Sequence, residues 1–216
     1  MKYLLLALVA LLFGCAQMPA VPANPVADSF AVTVALMSPD TDPPRPMCTG
    51  VWISDEWILT AKHCTTDDED NPVKGVAYIT DPGTRTLYQS TVVYRDEKYD
   101  LALLLALTRP IHQWAPVAKV HAEVGTAVHI VGHPAGLYWT YLTGQVAGFH
   151  LNMTPLADVG PVLQIQAPIY FGNSGGGAFN DAGELVGICS FGTRLPGEGF
   201  FVSVETINAF TVASHL

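Results

Sequence analysis

Apolar positions along this chain fall in short runs, many alternating with polar ones, and turn residues separate the runs. A period of two marks strands with one buried face. Segments 30–37, 49–53, 56–61, 75–80, 86–94 and 101–107 read as six strands. Segments 127–132, 144–151, 162–169, 176–180, 184–191 and 199–204 read as six more. Turn signals such as Asp81-Pro82-Gly83 and Asp181-Ala182-Gly183 lie between them. From Glu205 onward the spacing is helical, with Ile207, Phe210 and Val212 expected on one apolar side. The pattern predicts an all-β chain: two packed six-stranded antiparallel β-barrels with a crevice between them, and a short C-terminal helix. The first barrel would span about 29–108, the second about 125–204 and the helix about 205–214, with the join between about Thr108 and Val124.

Composition supports this picture and narrows the partners. Half of the residues are hydrophobic and 13% are charged, so a core can form and disorder is disfavoured. With 19 Gly and 16 Pro, the chain suits many strands joined by turns. A net charge of −9 would repel a phosphate backbone, so nucleic acid is not expected as a partner.

The N-terminus is a separate segment. After Lys2, the apolar run Tyr3 to Phe13 is too short to span a bilayer and reads as a secretory signal over 1–14. The following Leu12-Phe13-Gly14-Cys15 resembles the lipobox of bacterial lipoproteins, which implies lipidation of Cys15. The alternative is ordinary secretory cleavage near Ala16 or Ala20. Residues 15–28, rich in Pro and Ala, then form a tether from a lipid anchor. This places the protein outside the cytoplasm, in a bacterial cell envelope, on the periplasmic or outer-surface side.

Three stretches carry chemistry: Leu59-Thr60-Ala61-Lys62-His63-Cys64, Tyr99-Asp100-Leu101-Ala102-Leu103-Leu104 and Gly172-Asn173-Ser174-Gly175-Gly176. Acyl transfer needs a nucleophile, a base, a group that orients the base and donors for an oxyanion. Ser174, in a glycine-rich turn, is the candidate nucleophile. The N–H groups of Gly172 and Ser174 can converge as an oxyanion hole. His63 is the candidate base, since imidazole suits proton transfer near neutral pH. Asp100 precedes a strongly apolar strand, so its carboxylate is expected to be buried and partnered by the His63 ring N–H.

The order His, Asp, Ser and the motifs around them resemble the trypsin-like serine proteases. TAKHC is similar to the family's TAAHC, DLALL to DIALL, and GNSGG to GDSGG or GNSGG. Gly187 to Gly192 resembles the strand that pairs with substrate, and Gly199 to Val202 the strand behind the specificity pocket. The resemblance covers about residues 29–216 and implies the double barrel, peptide-bond hydrolysis through an acyl-enzyme, protein or peptide substrates and no cofactor. Cys48 and Cys64 sit sixteen positions apart, as do the cysteines of the family's disulfide beside the catalytic histidine, which implies that pairing. Gly132-His133-Pro134-Ala135-Gly136, Thr143-Gly144-Gln145-Val146 and the approach Ala167 to Ser174 resemble the bacterial high-temperature-requirement proteases, although no PDZ domain is expected after Leu216. Zymogen-type relatives carry Asp where Asn173 stands, and no IVGG-like site is present, so activity without cleavage is expected.

The resemblance also implies a pocket floor near Pro168, with walls from Ser190, Phe191, Gly192 and Gly199. No acid lies at the floor, and Cys189 stands where glutamate-specific relatives have histidine. An apolar residue before the scissile bond is therefore expected. Arg194 and Glu198 read as solvated loop charges. Cys189 reads as a buried free thiol. The run Asp67-Asp68-Glu69-Asp70-Asn71 lacks the EF-hand glycine and distal glutamate and reads as a solvated acidic loop. No metal is expected: His129 and His133 lie on a strand entering a turn, about 13 Å apart. Two rival functions remain, a catalytically idle peptide-binding member of the fold, and an esterase or single-substrate maturation factor. The oligomeric state is open.

Overall fold

The computed structural model describes residues 24–38, 41–67, 69–81, 83–108, 110, 113–151, 160–193 and 197–214. The signal segment, Cys15, most of the tether, Asp68, Pro82 and Arg194 lie outside the described residues.

The expected strands all form. The first barrel closes in the order β1 (Thr33–Met37), β2 (Pro46–Trp52), β3 (Trp57–Thr60), β6 (Ala102–Ala106), β5 (Leu87–Arg95) and β4 (Ala77–Ile79). The second closes as β10 (Gly177–Phe179), β11 (Leu185–Gly192), β12 (Glu198–Ser203), β9 (Val162–Gln166), β8 (Thr140–His150) and β7 (Ala127–Gly132). All the pairings are antiparallel. Between the barrels, Ala115 N–H bonds Trp52 O (2.9 Å) and Ala118 N–H bonds Leu185 O (3.0 Å).

Two local expectations are corrected. Residues 25–28, assigned to the tether, belong to α1 (Pro25–Ala31), so the strand expected from Phe30 starts at Thr33. Asn24 caps the helix by accepting the Ala27 N–H (3.2 Å), and Pro25 starts it where a missing N–H costs nothing. At the other end, α2 (Val204–Ala213) buries Ile207 and Phe210, but Val212 is exposed. Two residues beyond Phe210, at 100° per residue, its side chain has turned to the opposite side.

Strand periodicity explains the continuous apolar runs near the centre. Trp52, Ile58 and Leu104 fill the first barrel, whereas their neighbours Val51, Leu59 and Leu103 face outward into a seam. Phe179, Leu185, Ile188 and Val202 of the second barrel, with Ile207 and Phe210 of α2, complete that seam. Strands buried on both faces lose polar alternation. Leu103 is 1% exposed in the seam. Its replacement by alanine is expected to cost about 2–5 kcal/mol, read as a lower urea midpoint.

Candidate functional site

The candidate site forms at the mouth of the seam. His63 sits on a single 3-10 turn, Lys62–Thr65, that follows β3. The turn is held by Thr65 Oγ1 donating to Lys62 O (2.6 Å) and Thr66 Oγ1 donating to His63 O (2.9 Å). A disulfide joins Cys64 to Cys48 on β2, with Cα atoms 6.0 Å apart. Asp100 lies just before β6, in a turn where Asp96 Oδ1 accepts the N–H groups of Lys98 and Tyr99 (2.8 Å each). Burial of Leu101 in the seam fixes the exit of that turn.

His63 and Asp100 meet as expected. Asp100 Oδ2 lies 2.8 Å from His63 Nδ1, and Oδ1 accepts the His63 backbone N–H (3.1 Å). The second barrel adds a donor: Ser190 Oγ bonds Asp100 Oδ2 at 2.5 Å. Ser190 is the unpaired residue where the β11–β12 register shifts between Cys189 and Phe191. A bulge of this kind re-aims a side chain. Burial is the largest single influence on Asp100 and raises its pKa, but hydrogen bonds and charge from His63, with the Ser190 bond, outweigh it and hold the carboxyl below its ordinary value. Ser190, expected as a pocket wall, thus also braces the acid.

Ser174 lies in the turn before β10, and its geometry depends on the first barrel. Thr49 on β2 donates its N–H to Ser174 O (2.8 Å) and its hydroxyl to Gly172 O (2.7 Å). Gly175 N–H bonds Cys189 O at 2.7 Å. A Cβ at Gly172, where φ is +99°, would lie 2.2 Å from His133 O. At Gly175 it would lie 2.2 Å from Thr49 O. The turn is pressed against backbone on both sides, so neither glycine tolerates a side chain. Among the described residues, the N–H groups of Gly172 and Ser174 have no intramolecular acceptor.

His133 was not expected in this arrangement. It is fully buried, and its Nδ1 lies 2.9 Å from Thr49 Oγ1. Because that hydroxyl gives its one proton to Gly172 O, the ring must donate through Nδ1. Trp139 closes edge-on over the ring at 4.9 Å. Burial lowers the His133 pKa to about 3. Asn173 is fully buried beside Gly132.

Ser174, His63 and Asp100 line one cleft of about 660 Å³ with Ser190, Phe191 and Gly192. Three expectations about its walls change. Pro168 is exposed and is not among the lining residues; Ile169 is, because the chain leaves β9 at Gln166 and turns through Ala167–Ile169. Gly199 lies behind Ile169, whose Cγ1 would be 2.3 Å from a Cβ there. Tyr170 and Phe171, unassigned from sequence, join the wall at 59% and 84% exposure. Two adjacent aromatics beside a glycine turn, outside any alternating run, are the signal that marks them.

Other candidates find bland environments. Cys189 is a buried free thiol whose pKa is pushed up by burial and by the Asp100 charge. Asp67 Oδ1 accepts the N–H groups of Asn71 (2.8 Å) and Glu69 (3.0 Å), so the acidic run closes on its own backbone. Cys48, His63 and Cys64 bring ligand atoms within 4.8 Å, but both sulfurs are in the disulfide and offer no thiolate. Glu198, expected as a solvated loop charge, instead starts β12 half-buried, paired with Gln166 of β9.

Two closed barrels with a histidine–carboxylate pair and a serine turn across their seam define the double-barrel class of serine hydrolases. A family model described as the trypsin-like peptidase domain matches residues 48–188, more than half of the chain, and the chain belongs to that family. A probable periplasmic serine endoprotease, DegP-like, of Chlamydia pneumoniae is 30% identical over 72% of this chain and 30% of its own length. The chloroplastic Protease Do-like 1 of Arabidopsis thaliana is 32% identical over 57% of this chain and 30% of its own. The chain spans less than a third of the length of these relatives. An HtrA-type protease solved with a tripeptide superposes with a TM-score of 0.74 at 20% identity, covering 88% of this chain and 62% of that one. The serine endoprotease from Yersinia pestis gives 0.70 at 25% identity, covering 92% and 67%.

The buried neutral His133 has a consequence for stability. Its pKa is lowered on folding, so the unfolded chain binds the extra proton below pH 6.5. That contribution is complete above pH 6.5 and is lost progressively as pH falls toward about 3. Urea midpoints of wild type and His133→Gln, measured between pH 7 and 4, are expected to converge on acidification, by up to about 1.4 kcal/mol per pH unit.

Proposed function

We propose that the chain is a serine endopeptidase that works through an acyl-enzyme, with Ser174 as nucleophile, His63 as base, Asp100 as the group that orients it, and Gly172 and Ser174 N–H as oxyanion donors. The observation that carries the reading is the His63–Asp100 pair, 2.8 Å long, in one cleft with a serine whose turn presents two unengaged N–H groups.

Asp100 accepts the proton of His63 Nδ1, which leaves Nε2 as the basic nitrogen. Among the described residues no hydrogen bond joins Ser174 Oγ to His63, and such contacts tighten when substrate binds. Nε2 then takes the Oγ proton as Oγ bonds the peptide carbonyl carbon. The oxyanion forms against the two N–H groups. Collapse breaks the C–N bond, and the imidazolium gives its proton to the departing amine. Water, deprotonated by the same nitrogen, attacks the ester; the acyl C–Oγ bond breaks, the imidazolium returns its proton to Ser174 Oγ, and the carboxylic acid product leaves.

Ile169, Phe191 and Gly192 line the part of the cleft beside Ser190, which favours an apolar residue before the scissile bond. Asn173 is a buried amide, so no buried carboxylate there awaits a newly cut N-terminal ammonium, and activity without proteolytic activation follows. The apolar leader, the Cys15 motif and the Pro-rich segment support export and lipid anchoring in a bacterial envelope, and relatives named as periplasmic agree with export.

Uncut protein is expected to be labelled by a fluorophosphonate probe and to cleave peptides after apolar residues. Ser174→Ala removes the label and reduces turnover by about 10⁶-fold. A folded wild type that resists the probe would overturn the proposal in favour of an idle peptide-binding member, and labelling with no cleavage across a peptide library would favour an esterase or single-substrate factor. Asp100→Asn is expected to lower kcat by about 10⁴-fold with the fold retained. Because the Asp100 pKa is lowered on folding, its contribution to stability is full above about pH 4 and is lost as pH falls through the depressed value. The stability gap between wild type and Asp100→Asn should therefore narrow below pH 4 in acid-titrated urea unfolding.

A further inference from the structure

A second groove, of about 540 Å³, runs beside the candidate active cleft, and its chemistry differs from the rest of the molecule. Its walls include Pro44, Arg45, Pro46, Arg85 and Tyr138, over a floor of buried Met37 and Ile79. The chain carries only 10 Lys and Arg against 19 Asp and Glu, yet two of those cations share this one groove. The Arg85 guanidinium stacks on the Tyr138 ring, 4.6 Å from its centroid, which holds a planar donor in place. Among the described residues no ion pair engages either guanidinium. Asp81, on the turn that leads to Arg85, directs Oδ1 to the Gly83 N–H (2.7 Å).

The groove adjoins the reacting centre. Ala135 lines it, and the Ala135 N–H bonds Phe171 O (2.8 Å), while Phe171 lines the active cleft immediately before Gly172. On the reading proposed above, the pocket of Ile169, Phe191 and Gly192 takes the residue before the scissile bond. The segment after the bond then leaves across Phe171, toward Ala135 and the two arginines.

We propose that Arg45 and Arg85 form a subsite for acidic side chains in the segment that follows the scissile bond. Guanidinium groups match carboxylates as paired N–H donors, and both arginines are exposed, so they are accessible to a passing side chain and their attraction is screened by salt. The net negative charge of the surrounding protein repels acidic peptides at long range, so the selectivity arises at contact distance in this groove. The inference rests on the endopeptidase reading only for the direction of the chain through the site.

The test uses quenched peptides identical before the scissile bond, with Asp, Asn or Lys at the second and third positions after it. Rates are referred to an acyl ester that lacks residues on that side. We expect kcat/KM to favour Asp over Asn by about three- to tenfold at low salt, with the preference shrinking as salt rises. In Arg45→Gln/Arg85→Gln the ratio falls toward one, and in Arg45→Glu/Arg85→Glu it shifts toward Lys. Equal rates for Asp and Asn peptides in a protein that cleaves them would overturn the inference, as would an acid preference that survives both double variants. Fluorescence anisotropy of the same peptides on Ser174→Ala reads the groove without catalysis. Acid-dependent binding that the arginine variants abolish supports the subsite even if wild type fails to turn over, whereas equal binding of Asp and Asn peptides counts against it.

Discussion

The site depends on one buried carboxylate. Asp100 is only 13% exposed at the seam between barrels, and an ionised carboxylate removed from water is costly unless its oxygens are matched by donors. Two of those donors, the ring and backbone N–H of His63, come from the first barrel; the third, the Ser190 hydroxyl, comes from the second. Docking the barrels and satisfying the acid are therefore a single event. The His63 ring is oriented by its bond to the carboxylate, so the same constraint that ties the seam also fixes the proposed base.

A second tie across the seam runs through Thr49. Its backbone and side chain hold the carbonyls on either side of Asn173. The Gly172 and Ser174 N–H groups lie across their peptide planes from Phe171 O and Asn173 O, which accept from Ala135 N–H (2.8 Å) and Gly176 N–H (2.9 Å), and a carbonyl so held fixes the opposite orientation of its N–H. His133 closes the network from the second barrel and stays neutral there because burial opposes its charge. The turn that carries Ser174 is thus positioned by a strand of one barrel and a histidine of the other.

On the proposed function, the two grooves around this centre divide recognition by chemistry. The cleft beside Ser174 is lined by Ile169, Phe191 and two exposed aromatics, where apolar side chains gain by leaving water. The neighbouring groove offers two guanidinium groups on a protein whose net charge is −9. Phe171 stands between them, so one extended segment can meet both environments in succession.

Strand positions were legible because a period of two is written locally, and even the continuous run 101–107 found its explanation in a strand buried on both faces. His63, Asp100 and Ser174 stood out as candidates because three short motifs occur together in the order that resembles the trypsin-like proteases, and tight turns demand glycine beside the serine. The short helix at Pro25 and the outward turn of Val212 are errors of local phase, where capping and a 100° step outweigh the apolar pattern. The partnership of Ser190 with Asp100, the bridge from Thr49 to His133, the place of Ile169 in the wall and the meeting of Arg45 with Arg85 could not be read along the chain. Each depends on how a bulge, a strand register or two closed barrels bring residues distant in sequence to one place, and that proximity exists only once the long-range pairings have formed.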